Sequence, residues 1–433
     1  MSDAHAESVA FVRETELPPA APPPTAAGPT KWLRDNLFNG VWGTIMTLLA
    51  LAAIYYMLSG VVPWILNGVW TADSIRECRE ILGDTTAACF AVLTDRWHQL
   101  LFGTYPQTQY ERPVIAFVLL AVAAAPVLFS MLPRKMLWFT GLYPFIAYWL
   151  IWGGTIWLPV SALLGLAAGY TAYRYTVDRS FALGLAAGVV AAAAFWILIG
   201  PLLVAALSSV VPFELRPVRS IQIGGFMLNF ILGTVCVSLS LPLGIALALG
   251  RQSNLPIIKF ICVAFIEFIR GVPLITLLFV ANVVLAYFLP PQANFDLIIR
   301  VIIMITLFAA AYIAEVIRGG LAALPRGQYE AGDSLGLDYW QAMRLIILPQ
   351  ALKISIPGIV NVAIGLFKDT TLVSVISMFD LVGIIRGPVL TATDWSGVYW
   401  ELFGFAALIF FVVCFGISQY SQWLERQLST DHR

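Results

Sequence analysis

The stretch Arg318–Pro349, RGGLAALPRGQYEAGDSLGLDYWQAMRLIILP, interrupts an otherwise oily second half of the chain with charge and turn residues. The apolar helix ahead of it is predicted to end at Pro325, because proline lacks the N–H that a continuing helix uses. A short helix is expected from about Gln328 to Leu335. It should stop at Gly336, the residue type that best accepts the left-handed conformation just past a helix end. Asp338 is a ready N-cap, and Gln341 three residues on completes a capping-box pattern, so a second helix should start at once. The expected product is a helix-turn-helix outside the bilayer. Its small Ala331 and Gly332 would let another protein's backbone come close, with Arg326 and Glu330 supplying charge beside that bare spot.

The rest of the chain has the composition of a membrane. Hydrophobic residues make up 60% and charged residues 12% of 433 residues, with 14 Trp. Charge-free runs between Asp35 and Asp73, Lys135 and Arg174, Arg179 and Glu214, and Arg219 and Arg251 each exceed the roughly 20 residues a helix needs to cross a bilayer. The fold class expected is all-α, a polytopic helical protein with about 10 spans. Net charge is zero and no basic face is present, which argues against nucleic acid as a partner. The three histidines fall outside the predicted spans, and no Cys or His pair has metal-ligand spacing, so no metal site is expected. There is no GxxxxGK[ST] pattern and no credible nucleophile or carboxylate pair. The chain is therefore read as having no catalytic residues and no means of hydrolysing ATP by itself.

Taken in order, residues 1–36 read as a polar, Pro/Ala-rich disordered tail without the basic start and short apolar core of an export signal. Residues 37–220 carry about five spans, including a hairpin of two between 136 and 173 and a polar loop, 67–112, between the first two. That loop holds Cys78 and Cys89, the only cysteines outside predicted spans. Two readings stand for them: a disulfide, if the loop faces an oxidising compartment, or two separate thiols packed within it. Residues 221–427 carry the remaining crossings, at about 223–249, 258–289, 297–317, 355–376 and 400–423, and 428–433 form a short tail. The distribution of Lys and Arg accords with both termini and the 318–354 loop in the cytoplasm, with Arg216, Arg219 and four in the 67–112 loop falling on the other side.

Glu330-Ala331-Gly332, then three residues to Gly336, nine to Ile346, and finally Leu348-Pro349 resemble the EAA loop of the membrane subunits of ATP-binding-cassette (ABC) importers. Gly332 stands where that family usually has a second Ala, a change that weakens the helix by about 1 kcal/mol. The words AYIAEVIRGG from Ala311, LPRGQYEAG from Leu324, LPQALK from Leu348 and LFKDTTLVS from Leu366 are similar to those of the polar amino acid permeases, the histidine/glutamine permease family. The resemblance covers Ile221–Gln427, and the enlarged N-terminal half resembles general or acidic L-amino acid permeases of Gram-negative bacteria. It implies a type I importer core of five helices in the second half, in a bacterial inner membrane. Arg326, Gln328, Glu330, Ala331, Gly332 and Gly336 would then be the ATPase-coupling residues. The implied partners are a homologous permease subunit, two copies of an ATPase that uses ATP and Mg, a periplasmic amino acid binding protein, and membrane lipid.

Charged side chains inside a bilayer are costly and face cavities or partners. Glu267 and Arg270 lie three apart, as do Glu315 and Arg318, so each pair can neutralise itself on one helix face. The alternative is a substrate path at FIRGVPL, Phe268–Leu274, where Gly271 and Pro273 break a helix and open its backbone groups. Lys368, Asp369, Thr370, Thr371 and Ser374 are the stronger candidates for the substrate path or gate. They supply counter-charges for an ammonium and a carboxylate, plus hydroxyls for hydrogen bonds. The competing reading is a Lys–Asp pair that only tethers helices. Thr371 replaces the Ser usual in the family. The function expected is ATP-driven amino acid import by alternating access; the alternative is an ion-coupled secondary carrier using Glu267 or Glu315.

Overall fold

The computed structural model describes residues 28–83, 85–129, 131–284 and 296–428. The expected disordered tail up to residue 27, the end of the crossing at 285–289 and the C-terminal 429–433 lie outside them. Seven helical runs are long and apolar enough to cross a membrane, and an eighth is a pair, Pro256–Gly271 and Leu274–Val284, bent by 104°. Gly271 and Pro273 sit at that bend, as their helix-breaking chemistry requires. Between the second and third of the seven lie two further apolar helices, Leu137–Trp152 and Trp157–Thr176. The seven runs and the bent pair follow crossings read from the sequence in order, and the two further helices fall where the hairpin of two spans was read.

The described residues fall into two compact units, one comprising residues up to 69 together with 82–88 and the other 70–81 together with 89 onward. The first contains α1 (Pro29–Asn36) and α2 (Gly40–Leu66). α1 corrects the expectation of disorder up to residue 36: Pro29 stands at the first helical position, where its missing N–H costs nothing. α2 is apolar all round, and none of its residues is buried.

The second unit holds α3 (Ile75–Leu82) up to Ile81, and α4 (Ala91–Phe102), two short helices where a polar loop was expected. α5 (Glu111–Leu128), α6 (Leu137–Trp152), α7 (Trp157–Thr176), α8 (Phe181–Ala194) and α9 (Gly200–Val210) form the extension. The ends of its hairpins are tied by an antiparallel pairing of Gly154–Thr155 with Glu214–Leu215. Backbone groups freed at these ends are met by side chains: Tyr105 Oη donates to Ile151 O at 2.8 Å, and Arg112 Nη1 to Arg216 O at 2.7 Å.

The core helices are α10 (Gly225–Gln252), α11 (Pro256–Gly271), α12 (Leu274–Phe279), α13 (Leu297–Ala322) and α16 (Leu348–Asp369), closed by α18 (Tyr399–Leu428). One face of α10 buries Leu232, Cys236, Ser240, Gly244 and Ala248, four apart each time, so a small-residue stripe lets its neighbours come close. α13 answers with Ile298, Val301, Ile305, Ile313 and Ile317. The result is one apolar cluster around Met227, Leu228, Val301 and Leu366 at one end of the core and another around Ala248, Ile266, Ile317 and Ile347 at the other.

Candidate functional site

Three polar features break this apolar bundle. The first is the loop between α13 and α16. It opens with α14 (Arg326–Ser334), which Pro325 precedes and Gly336 ends. Gly336 has φ +70°, the left-handed region. Its N–H donates to Asp333 O at 3.0 Å, and that of Leu337 to Gly332 O at 3.3 Å, the paired bonds of a Schellman ending. α15 (Tyr339–Ala342) starts from a complete capping box: Asp338 Oδ1 accepts from Gln341 N at 2.8 Å while Asp338 N donates to Gln341 Oε1 at 3.1 Å.

Two expectations for this loop need correction. The second helix is not a separate element, because a π turn at Met343–Ile347 carries α15 straight into α16, giving one helical run from Tyr339 to Ile376. Pro349 lies just past that π turn, inside the continuous run, at the point where the bonding pattern changes and its missing N–H is accommodated. Gly332 does not form an open spot: it is buried, and a Cβ there would lie 3.2 Å from Ala342 Cβ. Its small size serves the packing of α14 on α15. Gln328 also acts inward, accepting from Gln350 Nε2 at 2.9 Å. Arg326, Glu330, Ala331 and Gly336 are exposed. Beside them Leu335 is 72% and Trp340 67% exposed, with Tyr339 and Leu345 also open. This apolar patch was missed, although the adjacent Tyr-Trp in a polar loop was its signal.

The second feature lies just ahead of that loop. Glu315 Oε1 accepts from Arg318 at 2.5 Å, as the spacing predicted, and its Oε2 lies 3.3 Å from Arg251 and 3.7 Å from Arg270. Glu267 pairs with Arg251 at 2.8 Å and not with Arg270, which correlates with its place on the helix face: it turns toward α10, while Arg270 sits over the ring of Tyr312 on α13. The expected Glu267–Arg270 pair is therefore replaced by an interhelical network of three arginines and two carboxylates with Arg318 as its largest local contact. Such a network fixes α10, α11 and α13 to one another. Neither carboxylate is free of a cation.

The third feature is at the opposite end of α10. Twenty-two positions separate Arg251 from Asn229, about 33 Å along a helix. Here α16 tightens into a 3₁₀ turn, Thr370–Ile376. Lys368 is exposed, Asp369 is half-buried, and among the described residues no ion pair joins them. The hydroxyls of Thr371 and Ser374 each donate to the carbonyl three residues back, at 2.8 Å, leaving oxygen lone pairs to accept. Thr370 is corrected: it is fully buried, donates to Phe367 O at 2.7 Å and accepts from Asn229 Nδ2 at 3.0 Å, so it faces the protein and no open path.

Asn229 and Asp380 were not foreseen. Asn229 Nδ2 also donates to Asp380 Oδ2 at 3.1 Å, and its Oδ1 accepts from Leu381 N at 3.1 Å. Asp380 caps α17 (Leu381–Ile384), accepting from Gly383 N at 2.9 Å. It is fully buried, and burial pushes its carboxyl up to about 6 against the opposing pull of the Asn229 amide and the nearby N–H groups.

The α3–α4 insert packs on this same end. Cys78 and Cys89 form a disulfide, both buried, with Cα atoms 6.2 Å apart. Trp395 Nε1 donates to Asp95 Oδ2 at 2.7 Å, and Ile75 N to Asp394 O at 2.7 Å. Gly103, at the end of α4, meets Gly224 and Gly225 so closely that a Cβ on it would lie 2.5 Å from Gly224 Cα. Among the described residues no cluster of His, Cys, Asp and Glu could hold a metal ion.

Residues 240–429 match the family of binding-protein-dependent transport system inner membrane components. Over 431 residues the chain is 54% identical to the glutamate/glutamine/aspartate/asparagine transport system permease protein BztC of Rhodobacter capsulatus, covering 98% of this chain and 99% of the relative. It is 34% identical over 403 residues to the inner membrane amino-acid ABC transporter permease protein YhdY of Escherichia coli, covering 92% and 93%. A crystal structure of an amino acid ABC transporter with histidines matches 47% of this chain and 92% of its own, at 30% identity and a TM-score of 0.42.

Proposed function

The chain belongs to the amino-acid ABC transporter permeases, and from that membership we propose that it imports the acidic amino acids glutamate and aspartate and their amides. It is a multi-pass permease subunit of an ATP-driven importer and not an enzyme. The observation that carries the substrate reading is the end-to-end match, extension included, to a relative named for those four amino acids. The chemistry at the Lys368 segment suits it. An exposed ammonium, a half-buried carboxylate and two hydroxyls with open lone pairs can meet a zwitterion that carries a further carboxylate or amide. Lys368, Asp369, Thr371 and Ser374 are accordingly the substrate-path residues of this reading.

The 318–354 loop receives the ATPase in this scheme. Arg326, Glu330 and Ala331 with the apolar Leu335 and Trp340 are its docking face, and the capped helices on either side of Gly336 transmit the movement. A homologous permease subunit, two ATPase copies that use ATP and Mg, and a periplasmic binding protein complete the assembly. Both termini are cytoplasmic, so the disulfide-stapled insert faces the periplasm, the compartment that keeps such a bond oxidised. A secondary carrier would need a carboxylate free to exchange an ion, whereas Glu267 and Glu315 are held by arginines.

Reconstitution into liposomes with the ATPase and binding protein tests this reading. Uptake of labelled glutamate should require ATP and be competed by aspartate, glutamine and asparagine. Uptake driven by an ion gradient without ATP, or indifference to those competitors, would overturn it.

A further inference from the structure

We propose that Asn229 is a positioning residue for transport, its one amide locking the Lys368–Ser374 segment to α10 and to Asp380. This rests on the reading of that segment as the substrate path.

Three elements meet at the amide. Its two N–H groups go to Thr370 Oγ1 at 3.0 Å and Asp380 Oδ2 at 3.1 Å, and its oxygen takes the N–H of Leu381 at 3.1 Å. All three polar side chains are fully buried. An amide is the one side chain that supplies two donors and an acceptor in this fork, so Asp, Leu or Ser cannot do the same work. Every donor on the Asp380 carboxylate is neutral: the Asn229 amide and the N–H groups of Val382 and Gly383. Among the described residues no cation pairs with it. A buried carboxylate without a counter-ion is an expensive way to join helices that are otherwise packed by Leu and Ile. What it provides, and apolar packing does not, is a directional joint that is either made or broken.

The two sides of the joint are held differently. Asp380 is braced from the insert's side: Gly225 N donates to Phe379 O at 2.8 Å, and Gly103 of α4 lies against Gly224 and Gly225, themselves fixed by the disulfide-stapled helices. Thr370 instead sits where α16 changes to a 3₁₀ turn, two residues after the exposed Lys368. Asn229 thus ties a braced residue to the one that sets the register of the substrate-path segment. When that segment shifts, the amide is the bond that must break.

The test uses the complete complex in liposomes. Asn229→Asp sets a second carboxylate against Asp380, and two such groups must share a proton. A shared proton leaves position 229 at most one donor for two acceptors, Thr370 Oγ1 and Asp380 Oδ2, so glutamate uptake should be lost near neutral pH with basal ATP hydrolysis retained. The swap Asn229→Asp with Asp380→Asn restores the bond between positions 229 and 380 but leaves Thr370 Oγ1 without its donor, so it should assemble and remain impaired in uptake. Should the single variant fail to assemble, the swap alone decides, and normal transport by an assembled swap overturns the proposal, as does normal neutral-pH uptake by Asn229→Asp. Lys368→Ala is run beside them. If it transports normally, the substrate-path reading falls and the positioning role falls with it. If it is impaired while Asn229→Asp is not, only the positioning role falls.

Discussion

The backbone N–H of Cys89 donates to Oε1 of Glu401 at 2.9 Å, across 312 positions of sequence. Both residues are buried, so the bond fastens the stapled insert to the first turn of α18 out of reach of water. Glu401→Ala should strand the N–H and lower stability by about 1–3 kcal/mol. Glu401→Gln keeps an acceptor and should recover most of the loss. Thermal unfolding of the purified complex reads both. Equal melting of the Ala and Gln variants would show that the hydrogen bond contributes nothing.

Removing the disulfide acts through the unfolded chain as well as the folded one. Cys78 and Cys89 close a loop of 11 positions, for which chain entropy sets a gain of about 3 kcal/mol. The double Ser variant should lose no more than that, mainly within the insert, because α4 keeps its bond from Trp395 and its seat on Gly224 and Gly225. Limited proteolysis around residues 75–90 should accelerate while uptake falls only in part. Two free thiols in the unreduced native protein would contradict the premise directly.

How much of this was legible beforehand follows the reach of each interaction. The Gly336 stop and the Asp338–Gln341 box are local chemistry, each complete within six residues, and the charge-free runs already marked several of the crossings. Glu267 was paired with Arg270 because a spacing of three is visible in sequence, whereas its partner Arg251 lies on another helix. Thr370 read as an open hydroxyl for the same reason. Only the fold brings Asn229 to it, 141 positions away. Gly332 fitted a docking motif, but packing against Ala342 turned it inward. The continuous helix from Tyr339 was hidden by Pro349, which normally signals a break and here is absorbed by the π turn before it.

At Gly336 the backbone itself makes the prediction. With φ +70°, any L-residue is strained there, and proline, fixed near −65°, cannot adopt the conformation at all. Proline also deletes the N–H that bonds Asp333 O. Gly336→Ala should cost about 1 kcal/mol and leave partial uptake, while Gly336→Pro should abolish coupling, with ATP hydrolysis persisting or the ATPase dissociating. Glu330→Ala removes an exposed charge without touching the helix and should be milder. Normal ATP-driven uptake by a correctly inserted Gly336→Pro variant would refute the coupling role.

Asp380 gives the complex a dependence on acid. Its carboxyl is raised from 3.8 to about 6 in the folded protein, burial outweighing the hydrogen bonds from Asn229, Gly383 and Val382. A carboxyl raised by folding holds its proton more tightly in the native state than in the unfolded chain. Between those two values the native state therefore carries more protons, and stability falls as pH rises. The contribution is greatest below 3.8 and is lost as pH climbs through about 6. The full difference is roughly 3 kcal/mol, at about 1.4 kcal/mol per unit. Other groups titrate in the same range, so the informative quantity is the melting temperature of the natural protein minus that of Asp380→Asn, which has no proton to bind at this position. That difference should grow in favour of the natural protein as the buffer is taken from about pH 7 to about pH 5. Parallel melting curves across that range would mean that the carboxyl at position 380 is not held in the raised state its burial imposes.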